Sequence, residues 1–390
     1  MQSIVQDKQV RIALIHDRYK PIQQGSIGGE DNLVQTELIA LSERNLDIGI
    51  FLHQNYGPLK KLRQFRAQTY GSPLDFLEKI KKFKPDVIHC HNLSLYSGIS
   101  WMNKVNIPIV LSLHNYRIYC PVSISWRDGK NCFDCRDHGP LESIKHGCSL
   151  KMGMARVLRD KITLSNKPEI NKVTRYIATS ELIKNSISPI VQSKKISILR
   201  NPATQILNPT KTTRTKWLFA GRFTYEKGIL ELIRIWPDSE FLDIAGDGPI
   251  LNRVKESISK KPNIQLIGTF APNIKSIYDQ YIGLIFPSIW MEGSPLVVID
   301  SLSNGSPVIA FEGSGGAELV KITNGGLIID RDADQSALLQ SIEIIKKKRD
   351  IYSLNAINSM KSQFSLDIWC NNLLKILSLA ISEFKQQRPN

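Results

Sequence analysis

Two kinds of apolar pattern alternate along the chain. Short apolar runs fall at 11–17, 47–52, 86–91, 108–114, 175–180 and 196–201, and again at 216–220, 241–245, 263–268, 283–287, 307–311 and 326–330. These are runs of strand length, as expected of parallel strands covered on both faces. Between them lie segments with apolar residues three or four apart. In 31–41 these are Leu33, Val34, Leu38 and Leu41; in 365–384 they are Ile368, Trp369, Leu373, Leu374 and Ile376. A further helix is predicted over 332–349, and residues 202–215, rich in Pro, Thr and Lys without a period, read as a linker. Strand and helix alternate on both sides of that linker. The pattern predicts an α/β chain of two facing, doubly wound Rossmann-like domains. The first spans 1–202 with a Cys-rich insertion near 117–150, the second spans 203–364, and a last helix occupies 365–390.

The chain's 390 residues suffice for two full cores, and 42% hydrophobic with 22% charged residues is a globular balance. The first fifteen residues lack the charged-then-apolar order of a secretory leader, and no apolar run reaches membrane-spanning length. A cytoplasmic location is therefore expected. The net charge of +15 is uneven: residues 1–200 hold 30 Lys+Arg against 17 Asp+Glu, and residues 201–390 hold 21 against 19. A basic half suggests an anionic partner, although a solvated basic surface is the plain alternative. The segment 58–66 (PLKKLRQFR) interleaves cations with Leu59, Leu62 and Phe65, and 79–84 adds four more lysines. That mixture suits an anionic membrane surface better than nucleic acid, since aromatic stacking platforms are sparse.

Candidate chemistry gathers in the second half. The apolar run 283–287 leads to Glu292 and Gly293; Ser294 stands at an expected N-cap and Pro295 at the first helical position. Asp300 follows on that helix, which is expected to stop at Asn304 and Gly305. An acid at the carboxyl end of a parallel strand, beside a helix N-terminus, is placed for a ligand. Earlier, Gly221-Arg222-Phe223-Thr224-Tyr225-Glu226-Lys227-Gly228 puts two cations on a strand-to-helix loop, and Gly246-Asp247-Gly248-Pro249 makes a tight turn. Guanidinium and ammonium groups are the usual partners of phosphate oxygens. In the first half, Gly28 and Gly29 follow the first strand, and His114 closes the run 108–114. His89 and His91 share one strand face, as a metal site or as a polar strand end.

The combination G-R-x4-K-G, Gly-acid-Gly-Pro and E-G-S-P with an acid eight positions after the glutamate resembles the retaining glycosyltransferases of family four, of the GT-B fold. The resemblance covers nearly the whole chain. It implies transfer of a sugar from a nucleoside-diphosphate sugar to an acceptor hydroxyl. It gives Arg222 and Lys227 to the leaving diphosphate, Glu292 and His114 to the donor sugar, and Asp300 to the ribose. Asp300 stands where the family usually has glutamate. Gly28, Gly29, Gly246, Gly293, Ser294 and Pro295 would shape the donor site, and residues 268–272 would border the base. Residues 365–390 would cross back onto the first domain. No catalytic metal is expected, because fixed cations take that role. The basic first half points to a saccharide or lipid-linked acceptor, cell-surface polysaccharide assembly and a place at the inner face of the plasma membrane. A nucleotide-sugar epimerase or phosphorylase of the same fold, or a non-enzymatic binder of anionic lipid, are the alternatives.

Cys120, Cys132, Cys135 and Cys148 are the remaining motif. A C-x2-C pair flanked by two further cysteines is a zinc half-site pattern, and free core thiols are the other reading. A zinc held by all four would be structural, with no open position.

Overall fold

The computed structural model describes residues 10–18, 29–44, 46–54, 74–91, 100–139, 141–148, 171–208, 213–269 and 275–387. Gly28, the basic segment 58–66, the helical stretch expected at 149–170 and residues 270–272 of the expected base pocket lie outside these.

Two six-stranded parallel sheets carry the fold. The first is built from β1 (Arg11–Arg18), β2 (Asp47–Gln54), β3 (Val87–His91), β4 (Ile109–Leu113), β7 (Arg175–Ala178) and β8 (Ile196–Ile198), in the order β2-β1-β3-β4-β7-β8. The second uses β9 (Lys216–Ala220), β10 (Phe241–Ala245), β11 (Ile264–Gly268), β12 (Leu284–Phe286), β13 (Val308–Phe311) and β14 (Gly326–Ile329), in the order β11-β10-β9-β12-β13-β14. Residues of β3, β4 and β13 are buried throughout, as continuous apolar runs require when helices cover both faces. A small antiparallel hairpin, β5 (Trp126–Arg127) and β6 (Lys130–Asn131), stands apart in the Cys-rich insertion.

The order of the second sheet decides where a ligand can sit. Chain progress reverses between β9 and β12, which touch through one register pair, Leu284 with Leu218. A crevice opens where strand order reverses, at the carboxyl ends of those strands. The loops leaving β9 and β12 carry Arg222, Lys227 and Glu292.

Nine helices of seven or more residues are described: α1 (Gly29–Ser42), α2 (Leu74–Phe83), α3 (Glu181–Ile187), α4 (Ile229–Ile235), α5 (Leu251–Ile258), α6 (Leu296–Ser303), α7 (Gly315–Thr323), α8 (Gln335–Ser359) and α9 (Leu366–Gln386). The crossover expected for the last helix is present. Trp369, Cys370, Leu373, Ile376 and Leu377 of α9 pack with Ile12, Leu33, Leu41, Val87, Val110 and Ile177 of the first domain. Arg44 reaches Asp367 at 2.9 Å and Arg175 reaches Glu383 at 2.6 Å. The two chain crossings lie side by side, since Ala203 N donates to Phe364 O at 2.8 Å. A second tie joins the domains through Glu318 on α7. Its carboxylate accepts from Glu181 N at the start of α3, at 3.0 Å, and pairs with Arg200.

Two sequence expectations shift. The helix after Glu292 starts one residue later than expected: Pro295 is the N-cap with no side-chain cap bond, and the Ser294 hydroxyl instead accepts from Asn201 N at 3.1 Å. The Ser294 carbonyl also accepts from Asn201 Nδ2 at 2.7 Å, so the serine joins the two domains rather than capping a helix. On α1, Glu37 is fully buried while Leu38 is only half-buried. The helix turns at a phase of Asp31, Val34, Glu37 and Leu41, which places an acid in the buried stripe. The exit of α6 is as expected, with Asn304 after its last residue and Gly305 left-handed at φ 64°.

Candidate active site

A cleft of about 350 Å³ lies between the domains at the reversal of the second sheet. Among its lining residues are Gly29 and His114 from the first domain. Arg222, Lys227, Glu292, Gly293, Ser294 and Pro295 face them from the second. Eight of the residues singled out in the sequence thus meet in one place. Gly246 and Asp300 do not line it. Gly246 packs on the loop that carries Arg222: a Cβ there would come within 1.9 Å of the Gly221 carbonyl oxygen. Asp300, on the fifth residue of α6, lies toward Tyr278, whose hydroxyl pKa its charge helps raise after burial.

Lys227 and Glu292 form the centre of the cleft. Their side chains make a close ion pair and are only 17% and 9% exposed. The ammonium stands 5.2 Å from the Trp290 ring centroid and 5.8 Å from that of Phe286. Glu292 Oε1 is buried and has no hydrogen-bond partner among the described residues. An unpaired carboxylate oxygen beside an ammonium suits a ligand that brings a hydroxyl and a negative charge together. Arg222 is more exposed, at 61%, and leans on Glu226 at 3.6 Å.

Backbone geometry explains two glycines. Gly228 sits at φ 70°, and a Cβ would meet the Pro287 carbonyl oxygen at 2.1 Å. Only glycine therefore lets the Lys227 turn close against the loop after β12. At Gly293 a Cβ would meet Thr179 Oγ1 at 2.1 Å. The missing side chain thus lets the two domains approach closely at a residue that also lines the cleft.

Several lining residues were not singled out in the sequence. Thr179, Asn201 and Trp290 come from three separate loops, and no local spacing marks them. Trp290 Nε1 donates to the Ile124 carbonyl of the Cys-rich insertion, and the Tyr116 hydroxyl donates to the Met291 carbonyl. The insertion thus braces the loop that carries Glu292.

The four cysteines line a small cavity together with His146. Burial pushes the Cys135 thiol up to about 12, reinforced by Cys120, Cys132 and Cys148. Among the described residues, the one group of three or more metal-ligating side chains with ligand atoms within 4.8 Å of one another is Glu37, His89 and His91. The thiols therefore surround a common space without being drawn to ligand distance. Asp-x-Asp spacings, a carrier of catalytic divalent ions in other enzymes, do occur at Asp330, Asp332 and Asp334. They follow β14 and do not line the cleft, and Asp334 Oδ1 caps α8 by accepting from Ala337 N at 2.8 Å.

Comparison with known proteins agrees with this geometry. Residues 205–361 match the family model described as glycosyl transferases group 1. The amylovoran biosynthesis glycosyltransferase AmsD of Erwinia amylovora is 22% identical over 359 residues, covering 88% of this chain and 91% of that protein. The UDP-Gal:alpha-D-GlcNAc-diphosphoundecaprenol alpha-1,3-galactosyltransferase of Escherichia coli is 30% identical over 137 residues, about a third of each chain (33% and 34%). In structure, Anabaena HepE in complex with UDP superposes with a TM-score of 0.61 at 14% identity, over 94% of this chain and 99% of that one. The two facing sheets and the crossover helix are those of the GT-B fold, and residues 205–361, within the second domain and its exit, are similar to group 1 glycosyl transferases.

Proposed function

We propose that the cleft binds a nucleoside-diphosphate sugar and transfers the sugar, with retention of configuration, to a hydroxyl of a saccharide acceptor. The observation that carries this is the Lys227–Glu292 pair with its unpartnered Glu292 oxygen at the reversal of a parallel sheet. Transfer builds positive charge at the anomeric carbon and negative charge on the departing diphosphate. Lys227 has three N–H donors, so it can hold Glu292 and a phosphate oxygen at once. Arg222, exposed at the cleft, adds a bidentate partner for that phosphate. Glu292 Oε1 accepts a sugar hydroxyl, and preorganised charges of this kind supply a large share of a catalytic effect. Asp300 lies on the side of Tyr278 and serves the ribose from there.

The acceptor enters from the first domain. Its excess of basic residues favours an acceptor carried on an anionic lipid, as in the undecaprenol diphosphate named for the galactosyltransferase relative. Lys79, Lys81, Lys82 and Lys84 are exposed on and just after α2, and so are available to such a surface. Incubation with a panel of nucleotide sugars, with and without lipid-diphosphate saccharides, tests the reading. Expected is acceptor-dependent release of nucleoside diphosphate and a product of the donor's anomeric configuration. Turnover of the donor to an isomer with no acceptor would replace it with an epimerase, and an inverted product would remove retention.

The cysteine cavity fits a structural zinc by ligand type: four thiols surround one space in a segment whose helices are four residues long and whose strands are two. Elements this short rarely hold together without a staple. Elemental analysis of purified protein should find about one zinc per chain. Metal-free protein with four reactive thiols and an undiminished melting temperature would rule the site out.

A further inference from the structure

A buried chain of polar side chains runs behind the cleft to His114, and apart from that histidine it has no part in the transfer chemistry described so far. It begins at Glu37, fully buried on α1. Glu37 Oε1 accepts from His89 Nδ1 at 2.6 Å, and His89 Nε2 shares a hydrogen bond with the Ser112 hydroxyl at 2.8 Å. Glu37 Oε2 stands 2.9 Å from His91 Nε2 but off the axis of the N–H bond, so the carboxylate attracts the N–H dipole without a directed hydrogen bond. His91 Nδ1 and His114 Nε2 are 2.9 Å apart. Their rings lie within 2° of parallel, with centroids 5.2 Å apart. That separation is the nitrogen-to-nitrogen distance plus a ring radius at each end, so the rings meet edge to edge in one plane. An in-plane contact of this kind is a directed N–H···N hydrogen bond, and it holds one proton.

We propose that Glu37, acting through His91, presents His114 to the cleft as a neutral hydrogen-bond acceptor for a hydroxyl of the donor sugar. A neutral imidazole carries one N–H, and its partners decide which nitrogen has it. The Glu37 carboxylate draws the His91 proton to Nε2. His91 Nδ1 is then a lone pair and accepts from His114 Nε2. The ring nitrogen left to His114 is Nδ1, bearing a lone pair. Burial agrees with this state: it brings His91 down to about 4 against the opposing pull of Glu37, and it holds His114 well below the ordinary imidazole value. Burial alone would raise the Glu37 carboxyl, but the N–H groups that His89 and His91 turn toward it hold it well below the usual carboxylate range. Glu37 and His91 are positioning residues in this scheme. The identity of the hydroxyl rests on the donor reading of the cleft; the proton arrangement does not.

Nitrogen-15 spectra of histidine-labelled protein read the tautomers directly. Seven histidines are present, and single His→Asn variants assign them. At pH 7, His91 and His114 should both be neutral with the proton on Nε2. A proton on Nδ1 of either ring, or a cationic ring, would overturn the proposal. A metal ion held by Glu37, His89 and His91 through His91 Nε2 would move the His91 proton to Nδ1, so it counts among the overturning results. In Glu37→Gln the ratio of Nε2–H to Nδ1–H at His114 should fall about tenfold, the worth of one ordinary hydrogen bond; an unchanged ratio contradicts the relay. If that variant does not fold, the wild-type tautomers decide alone. A panel of nucleoside diphosphates, UDP among them, titrated into the wild type reads the donor cleft separately, because the diphosphate does not depend on the imidazole protons. Failure of UDP and of every other common nucleoside diphosphate to bind would remove the donor reading and with it the sugar hydroxyl, while correct tautomers would still support the relay.

Discussion

Replacing Lys227 with alanine is expected to lower sugar transfer about 10- to 100-fold in a protein that remains folded. The side chain closes an ion pair with Glu292 and is 17% exposed. Its loss removes a charge-assisted contact to the departing phosphate, worth roughly 1.5–3 kcal/mol. It also leaves the Glu292 carboxylate buried without its cation, an uncompensated charge in the cleft. Lys227→Arg keeps the charge but replaces a compact ammonium with a planar fork, and should recover only part of the rate. Because the two residues touch, the effects of Lys227→Ala and Glu292→Gln should not add; a coupling of about 1 kcal/mol or more is expected. Steady-state rates of the two single variants and the double variant measure it. Wild-type rates in folded Lys227→Ala would take the diphosphate away from this residue.

The second large effect concerns stability. Trp369 is 4% exposed on α9, in the core that this helix completes on the first domain. Trp369→Ala should cost about 3–5 kcal/mol, from lost burial and the cavity left behind. Leu379, on the same helix and 45% exposed, is the control, and its alanine variant should stay within about 0.5 kcal/mol of wild type. Urea unfolding followed by fluorescence and circular dichroism separates the two. Equal midpoints for both variants would mean that the helix contributes little to holding the domains together.

Much of this molecule was legible in its sequence for a physical reason. Parallel strands buried on both faces write continuous apolar runs, and each strand of the two sheets answers to one such run. The loops after β9 and β12 were legible because their chemistry is local: Arg222, Lys227 and Gly228 lie within seven residues, as do Glu292 and Pro295. What the sequence hid depends on distant partners. Ser294 has the residue type of a helix cap, but Asn201, 93 positions away, takes its hydroxyl. Glu37 carries no local signal, because its partners His89 and His91 lie on a different element far along the chain. Gly293 was legible as part of the cleft, but its closeness to Thr179 of the other domain was not. The four cysteines could be grouped by spacing, yet spacing does not tell how far apart the sulfurs stand.

Calorimetric titration of a panel of nucleoside diphosphates, UDP among them, into the wild type and into Lys227→Ala tests the central claim most directly. If the cleft at the β9–β12 reversal holds a nucleoside diphosphate, the wild type binds one molecule of UDP or of another nucleoside diphosphate per chain, and the variant binds the same ligand about tenfold or more weakly. Equal affinity in the two proteins would contradict the account, because the diphosphate would then lie somewhere other than beside Lys227.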